Sequence, residues 1–378
     1  MTRFPAILSA NCVLQPGREG NVLETQKAPA QDRAGRRRRW RWIGIPFGSL
    51  IAIVVVLLIV VNLTPRPGAY LIKSVFERNA EQNKDKMEQY APSGIAVITN
   101  QQYRQGDGNA YLDVYFPEST AANVKLPTLV WTHGGAWISG HKDDNETYFK
   151  LIAAQGYTVV SLGYSLGPGH KYPTPIFQVN DALAYIQTNA NDFHVDTARF
   201  MMAGDSAGAQ ITSQYAALVT NPQFASEVGI TPSITPAQLR GVILYCGIYD
   251  LDAFMDKGGV VSGFVGGLLQ WGSHTSIWAY AGTKDTNSTA LTQMSSLNHA
   301  TAQFPPTFIS GGNGDPLTDH QSIPLAEKLQ SLGVPVSSLF YPEDHEPSLA
   351  HEYQFELNLA DAQTALTQMF AFMKERMV

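Results

Sequence analysis

Cysteine is nearly absent from this chain: Cys12 and Cys246 are the two thiols among 378 residues. A disulfide framework or a structural zinc site needs more thiols at closer spacing, so both are excluded. Histidine does not fill the gap. His170, His194, His274, His299 and His320 lack histidine or cysteine partners at ligand spacing, and neither a metal nor a cofactor is expected. Charge is scarce as well, at 15% against 44% hydrophobic residues, which excludes a disordered chain. Internal repeats and low-complexity tracts are missing, and a collagen-like fibre is impossible. The net charge of −6 is unevenly spread. Residues 1–42 carry +6, leaving −12 on the remainder. A body that acidic repels polyanions, so nucleic acid is not an expected partner.

One long apolar run is present. Ile43 to Thr64 forms 22 positions without a charge, and Ile51 to Val61 is aliphatic without a break apart from Ala52. At about 1.5 Å per residue the run spans roughly 33 Å, the hydrocarbon thickness of a bilayer. Arg33, Arg36, Arg37, Arg38, Arg39 and Arg41 precede it, with Trp40 and Trp42 at interfacial positions; only Arg66 and Lys73 follow closely. Positive charge stays on the cytoplasmic side, so the expectation is a basic cytoplasmic segment (1–42), a single-pass membrane anchor (43–64) and an extracytoplasmic body (65–378). A cleaved signal peptide fits less well. Its charged region would be about 40 residues long, and no small-x-small site follows the apolar run.

Past Pro65-Arg66-Pro67-Gly68 the pattern changes. Ala69 to Tyr90 reads as a surface helix or lid, and Ile95–Tyr103 with Tyr111–Phe116 as an antiparallel hairpin turning at Gly106-Asp107-Gly108-Asn109. Short apolar runs follow at 128–132, 158–162, 199–203, 242–246, 307–309 and 336–341. They alternate with helical stretches at 146–155, 175–189, 207–219, 322–332 and 360–377. Near-continuous apolar strands between helices predict one α/β domain built on a mostly parallel, eight-stranded sheet with helices on both faces. Residues 251–306 interrupt the alternation and are expected to cover the carboxyl edge of the sheet, where open α/β folds bind ligands.

Gly204-Asp205-Ser206-Ala207-Gly208 has the G-x-S-x-G pattern of a serine held on a tight strand-to-helix turn. The predicted strand before it and helix after it supply that context. Upstream, His133-Gly134-Gly135-Ala136-Trp137 directly follows a predicted strand. An HGG segment about 70 residues before a GDSAG turn resembles the hormone-sensitive-lipase branch of the α/β-hydrolase fold, a group of esterases and acetylesterases. The resemblance covers roughly Val114 to Val378. It includes Tyr164-Ser165-Leu166-Gly167-Pro168, where relatives usually carry Tyr-Arg-Leu-Ala-Pro; the arginine is missing here.

The chemistry follows from the residue types. A serine hydroxyl attacks only if a base takes its proton, and a carboxylate must orient that base, in chain order Ser, Asp, His. Ser206 is the expected nucleophile. Asp315, in an Asp-Pro-Leu segment resembling the family's acid loop, is the expected acid, ahead of Asp319 and Asp285. Two histidines, His345 and His351, follow the last strand. His345 stands about where the resemblance would put the base, but His351 is preferred because Tyr353 falls where the family's His-Gly-Phe has its aromatic and because it precedes Ala365-Leu366 of the final helix by 14 residues, the offset the resemblance implies. Backbone N–H groups of Gly134, Gly135 and Ala207 are expected to form the oxyanion hole, with His133 bracing their loop. The implied function is a serine carboxylic-ester hydrolase acting on small to medium esters. An acyltransferase with the same triad and a catalytically silent ligand-binding protein are the alternatives.

Overall fold

The computed structural model describes residues 49, 52–57, 59–256 and 263–377. The basic segment 1–42, Cys12, and residues 43–48, 50, 51 and 58 of the expected anchor lie outside the described residues. The chain divides into Met1–Leu57 and Leu58–Val378. In the first, residues 52–57 are helical. No single helix among the described residues is long and apolar enough to cross a membrane.

The second unit is built on the apolar runs. They form β1 (Ile95–Gln102), β2 (Tyr111–Pro117), β3 (Leu126–Thr132), β4 (Thr158–Leu162), β5 (Val195–Asp205), β6 (Leu239–Tyr245), β7 (Thr307–Gly311) and β8 (Val336–Phe340). Their order across one sheet is β1-β2-β4-β3-β5-β6-β7-β8. β2 runs antiparallel to both β1 and β4, and every later pairing is parallel. The expected α/β-hydrolase sheet, eight-stranded and mostly parallel, is what forms.

Burial on both faces explains the lack of polar alternation. All five residues of β4 and of β7 are buried. Each fully buried valine or leucine there contributes about 1.5–3 kcal/mol. One core cluster gathers Val130, Val160, Met202, Val242 and Ile309, and another gathers Leu129, Val159, Met201, Ile243 and Phe308. Adjacent residues of the same strands thus feed opposite faces.

The helices fall within a residue or two of expectation, from Glu146–Ala153 and Thr174–Thr188 to Ile323–Ser331 and Ala360–Met377. A short helix, Pro222–Val228, had no distinct sequence signal; Asn221 caps it and Gly229 ends it in the left-handed region. Within region 251–306, of which residues 257–262 lie outside the described residues, four helices form: Leu251–Asp256, Gly263–Ala281, Thr289–Met294 and Ser296–His299. The helix Arg66–Glu88 packs on Gly263–Ala281 with Gly68 at the crossing. A Cβ at Gly68 would stand 2.8 Å from Thr275 Cγ2, so the two helices approach because that side chain is missing.

Candidate active site

Three loops at the carboxyl ends of the parallel strands carry the candidate catalytic residues. At the end of β5 the chain enters the helix Ser206–Thr220, and Ser206 itself takes φ +50°, a conformation that a serine holds only when its surroundings impose it. The imposing contact is close packing. A Cβ on Gly208 would collide with the backbone of Thr132 and His133, so the turn can press against β3 only with glycine at that position.

Asp315 comes from the loop after β7, and His351 from the loop after β8. Ser206 Oγ lies 3.0 Å from His351 Nε2, and His351 Nδ1 lies 2.8 Å from Asp315 Oδ2. The other Asp315 oxygen accepts the Leu317 N–H at 2.9 Å. Burial alone would raise the Asp315 carboxyl, but the neighbouring imidazole outweighs it and holds Asp315 below the usual carboxylate range. For His351, burial works against the imidazolium; Asp315, then Glu352 and Asp205, prevail and push it up to about 9.

The two loops are fastened to each other by residues the sequence did not single out. Asn313 accepts the Leu349 N–H and donates to the His345 carbonyl, both at 2.9 Å, while Gly314 N–H donates to the Leu349 carbonyl. Tyr353, expected only as an aromatic, sits with its hydroxyl 2.9 Å from Ser310 Oγ at the end of β7. These bonds set where His351 stands relative to Asp315. His345 goes elsewhere. Its Nε2 is 3.2 Å from Asp361 Oδ2 and its ring packs on Tyr341. Asp319 and Asp285, the lesser candidates for the acid, are both solvent-exposed.

The HGG loop departs from expectation at one position. Gly134 N–H donates to Asp205 Oδ2 at 2.8 Å, so it is not a free oxyanion donor. Asp205 Oδ1 accepts the Trp131 indole N–H at 2.7 Å. Glycine is required at 134 because a Cβ there would run into the Asp205 carboxylate, which is a steric reason rather than a catalytic one. Ala136 and Ala207 line the cavity beside Ser206. Ala136 was passed over in the sequence, although its place directly after the double glycine was a usable signal. His133 braces the loop: it is buried, hydrogen-bonds the Gly134 carbonyl and stacks on Tyr164, and burial lowers it to about 4.

The cavity beside Ser206 and His351 holds about 360 Å³. Its walls are mainly apolar, with Phe76 from the helix Arg66–Glu88, Leu269 and Ile277 from Gly263–Ala281, and Trp137, Ile248 and Leu317 from the body. A larger polar cavity of about 540 Å³, walled by Lys73, Glu77 and Asp144 among others, has none of Ser206, Asp315 or His351 on its surface.

Cys246, Asp315 and His351 bring donor atoms within 4.8 Å of one another. A metal would need the thiolate, whereas burial pushes the Cys246 thiol up, and Asp315 and His351 are already engaged with each other. We assign this trio no metal.

The BD-FAE family model matches residues 112–329, more than half of the chain and the stretch that carries both glycine turns. The chain belongs to the BD-FAE family. Solved structures agree on the fold. Esterase B from Lactobacillus rhamnosis superposes with a TM-score of 0.68 at 19% identity, covering 82% of this chain and 96% of that one. A bacterial heroin esterase gives 0.62 at 18%, over 81% and 91%. The hyperthermophilic esterase of the archaeon Pyrobaculum calidifontis gives 0.61 at 22%, over 81% and 91%. The α/β-hydrolase fold expected from the HGG and GDSAG segments is thereby shown.

Proposed function

We propose that this BD-FAE member is a serine carboxylic-ester hydrolase working through an acyl-enzyme. The observation that carries the reading is the relay of 3.0 Å from Ser206 Oγ to His351 Nε2 and 2.8 Å from His351 Nδ1 to Asp315 Oδ2. In this mechanism Ser206 attacks the ester carbonyl while His351 takes its proton; Asp315 orients and stabilises the imidazolium. His351 then protonates the departing alkoxide, and water, activated by the same imidazole, releases the acid. The oxyanion is held by N–H groups of the HGG turn beyond Gly134, namely those of Gly135 and Ala136, and by Ala207 in the first turn of its helix.

An apolar cavity of about 360 Å³ supports small to medium acyl groups as substrates. Esterase B, similar in fold, has been solved with a tributyrin phosphonate inhibitor. The test is hydrolysis of an acyl-length series of aryl esters by the protein and its Ser206→Ala variant. The expected result is turnover with the native serine and at least about a 10⁴-fold loss without it. Undiminished turnover by the variant rules out Ser206 as nucleophile.

We propose separately that residues 43–64 anchor the protein in a membrane, with 1–42 cytoplasmic and the catalytic body outside. Support comes from the uncharged run and the arginines before it. Protease treatment of intact cells should digest the body and spare the basic segment; the reverse pattern would invert the topology.

A further inference from the structure

The residue after His351 is Glu352, whose backbone takes φ +61°. Glycine adopts that left-handed conformation freely, whereas a side chain resists it, so the surroundings must hold Glu352 there. They do so through its N–H, which donates to Cys246 Sγ at 3.4 Å, and its carbonyl, which accepts the Phe355 N–H at 3.1 Å. The consequence is where the carboxyl goes. Glu352 Oε1 stands 3.7 Å from His351 Nε2, the nitrogen that faces Ser206 Oγ, and beside Gly134, whose absent side chain leaves room for it and for the Asp205 carboxylate. His351 is therefore faced by Asp315 from the loop after β7 and by Glu352 on the neighbouring residue. Asp205 at the end of β5 and Cys246 after β6 complete the surrounding titratable groups.

We propose that Glu352 is a positioning residue acting through His351: a second carboxylate that stabilises the imidazolium from its Nε2 side and sets the pH at which the ring becomes an available base. The proposal rests on the serine-hydrolase reading and deepens it. Negative charge at this distance favours the protonated ring. The cost is a base that stays protonated to higher pH, and the gain is a better-stabilised imidazolium once Ser206 has given up its proton. Removing the charge should move both quantities, in a direction that mere loss of packing would not produce.

The experiment compares the full chain with Glu352→Gln, which keeps the shape without the charge, and Glu352→Gly, which suits the backbone conformation. Two readouts are taken: the acid limb of kcat/KM for an aryl butyrate, and the imidazole NMR titration of His351, assigned by its disappearance in His351→Gln. Both variants should shift both curves to lower pH by about one unit, with kcat on the alkaline plateau falling several-fold and KM little changed. A His351 titration that coincides in all three proteins overturns the proposal. If no ester is turned over even by the native chain, the hydrolase reading fails separately, and the NMR titration still decides the role of Glu352.

Discussion

Asp315 and Asp205 are both buried, and both stand at the carboxyl ends of strands in one sheet, yet they are tuned in opposite directions. Asp315 meets an imidazole at 2.8 Å and is held low. Asp205 is raised well above the usual range, first by burial and then by the neighbouring Glu352, although the Trp131 and Gly134 N–H groups pull the other way. Burial penalises both carboxylates alike; the sign of the nearest charge decides between them. One acid is thus equipped to stabilise a neighbouring imidazolium. The other organises the backbone, tying the HGG loop to the turn that carries Ser206.

The largest effect should come from the first of these acids. Asp315→Asn should lower kcat by about 10³–10⁴-fold with KM nearly unchanged, because the ring loses its orienting partner. His345→Ala, six residues from His351 and directed at Asp361, should alter turnover less than about twofold in the same assay. Equal losses from both would remove the distinction between the two histidines.

On the structural side, Gly134→Ala drives a methyl into the Asp205 carboxylate. The expected cost is about 2–3 kcal/mol, read as a lowered unfolding midpoint in urea. Asp205→Asn should cost less, about 1–2 kcal/mol, since the amide oxygen can still accept one of the two N–H donors and leaves the other unpaired. Unchanged stability in both variants would show that the Asp205 contacts do not anchor the loop.

The pH dependence sharpens the comparison further. kcat/KM should rise with pH until His351 deprotonates, near its raised value of about 9, because only the neutral ring can accept the serine proton. For folding the sign is reversed. The stability gained from charged His351 is fully present below the ordinary value of 6.5 and is lost as pH rises through about 9. Asp315, held low, contributes stability that persists above the ordinary carboxylate value of 3.8 and disappears as pH falls below its depressed one. Unfolding free energies measured across this range should fall at both ends.

Much of the molecule was legible in the chain. Strands such as Thr158–Leu162 announce themselves because a sheet covered on both faces needs unbroken apolar runs. Ser206 was legible because its turn demands glycines at fixed offsets. The preference for His351 rested on the aromatic two positions later and on its offset from the final helix, and the Tyr353 hydroxyl does hydrogen-bond with Ser310. Gly134 was misread for a physical reason: the same glycine pattern serves an exposed donor and a tight steric approach, and only the position of Asp205 distinguishes them.

The sequence by itself therefore determined the sheet, the order of its elements and the chemical types assembled on it, because apolar periodicity and turn glycines are local properties. Tertiary structure alone decided which histidine meets Asp315, where the Gly134 N–H is spent and which carboxylates surround the ring. Those outcomes depend on loops separated by 36 and 145 residues meeting within hydrogen-bond reach. No local pattern encodes that distance.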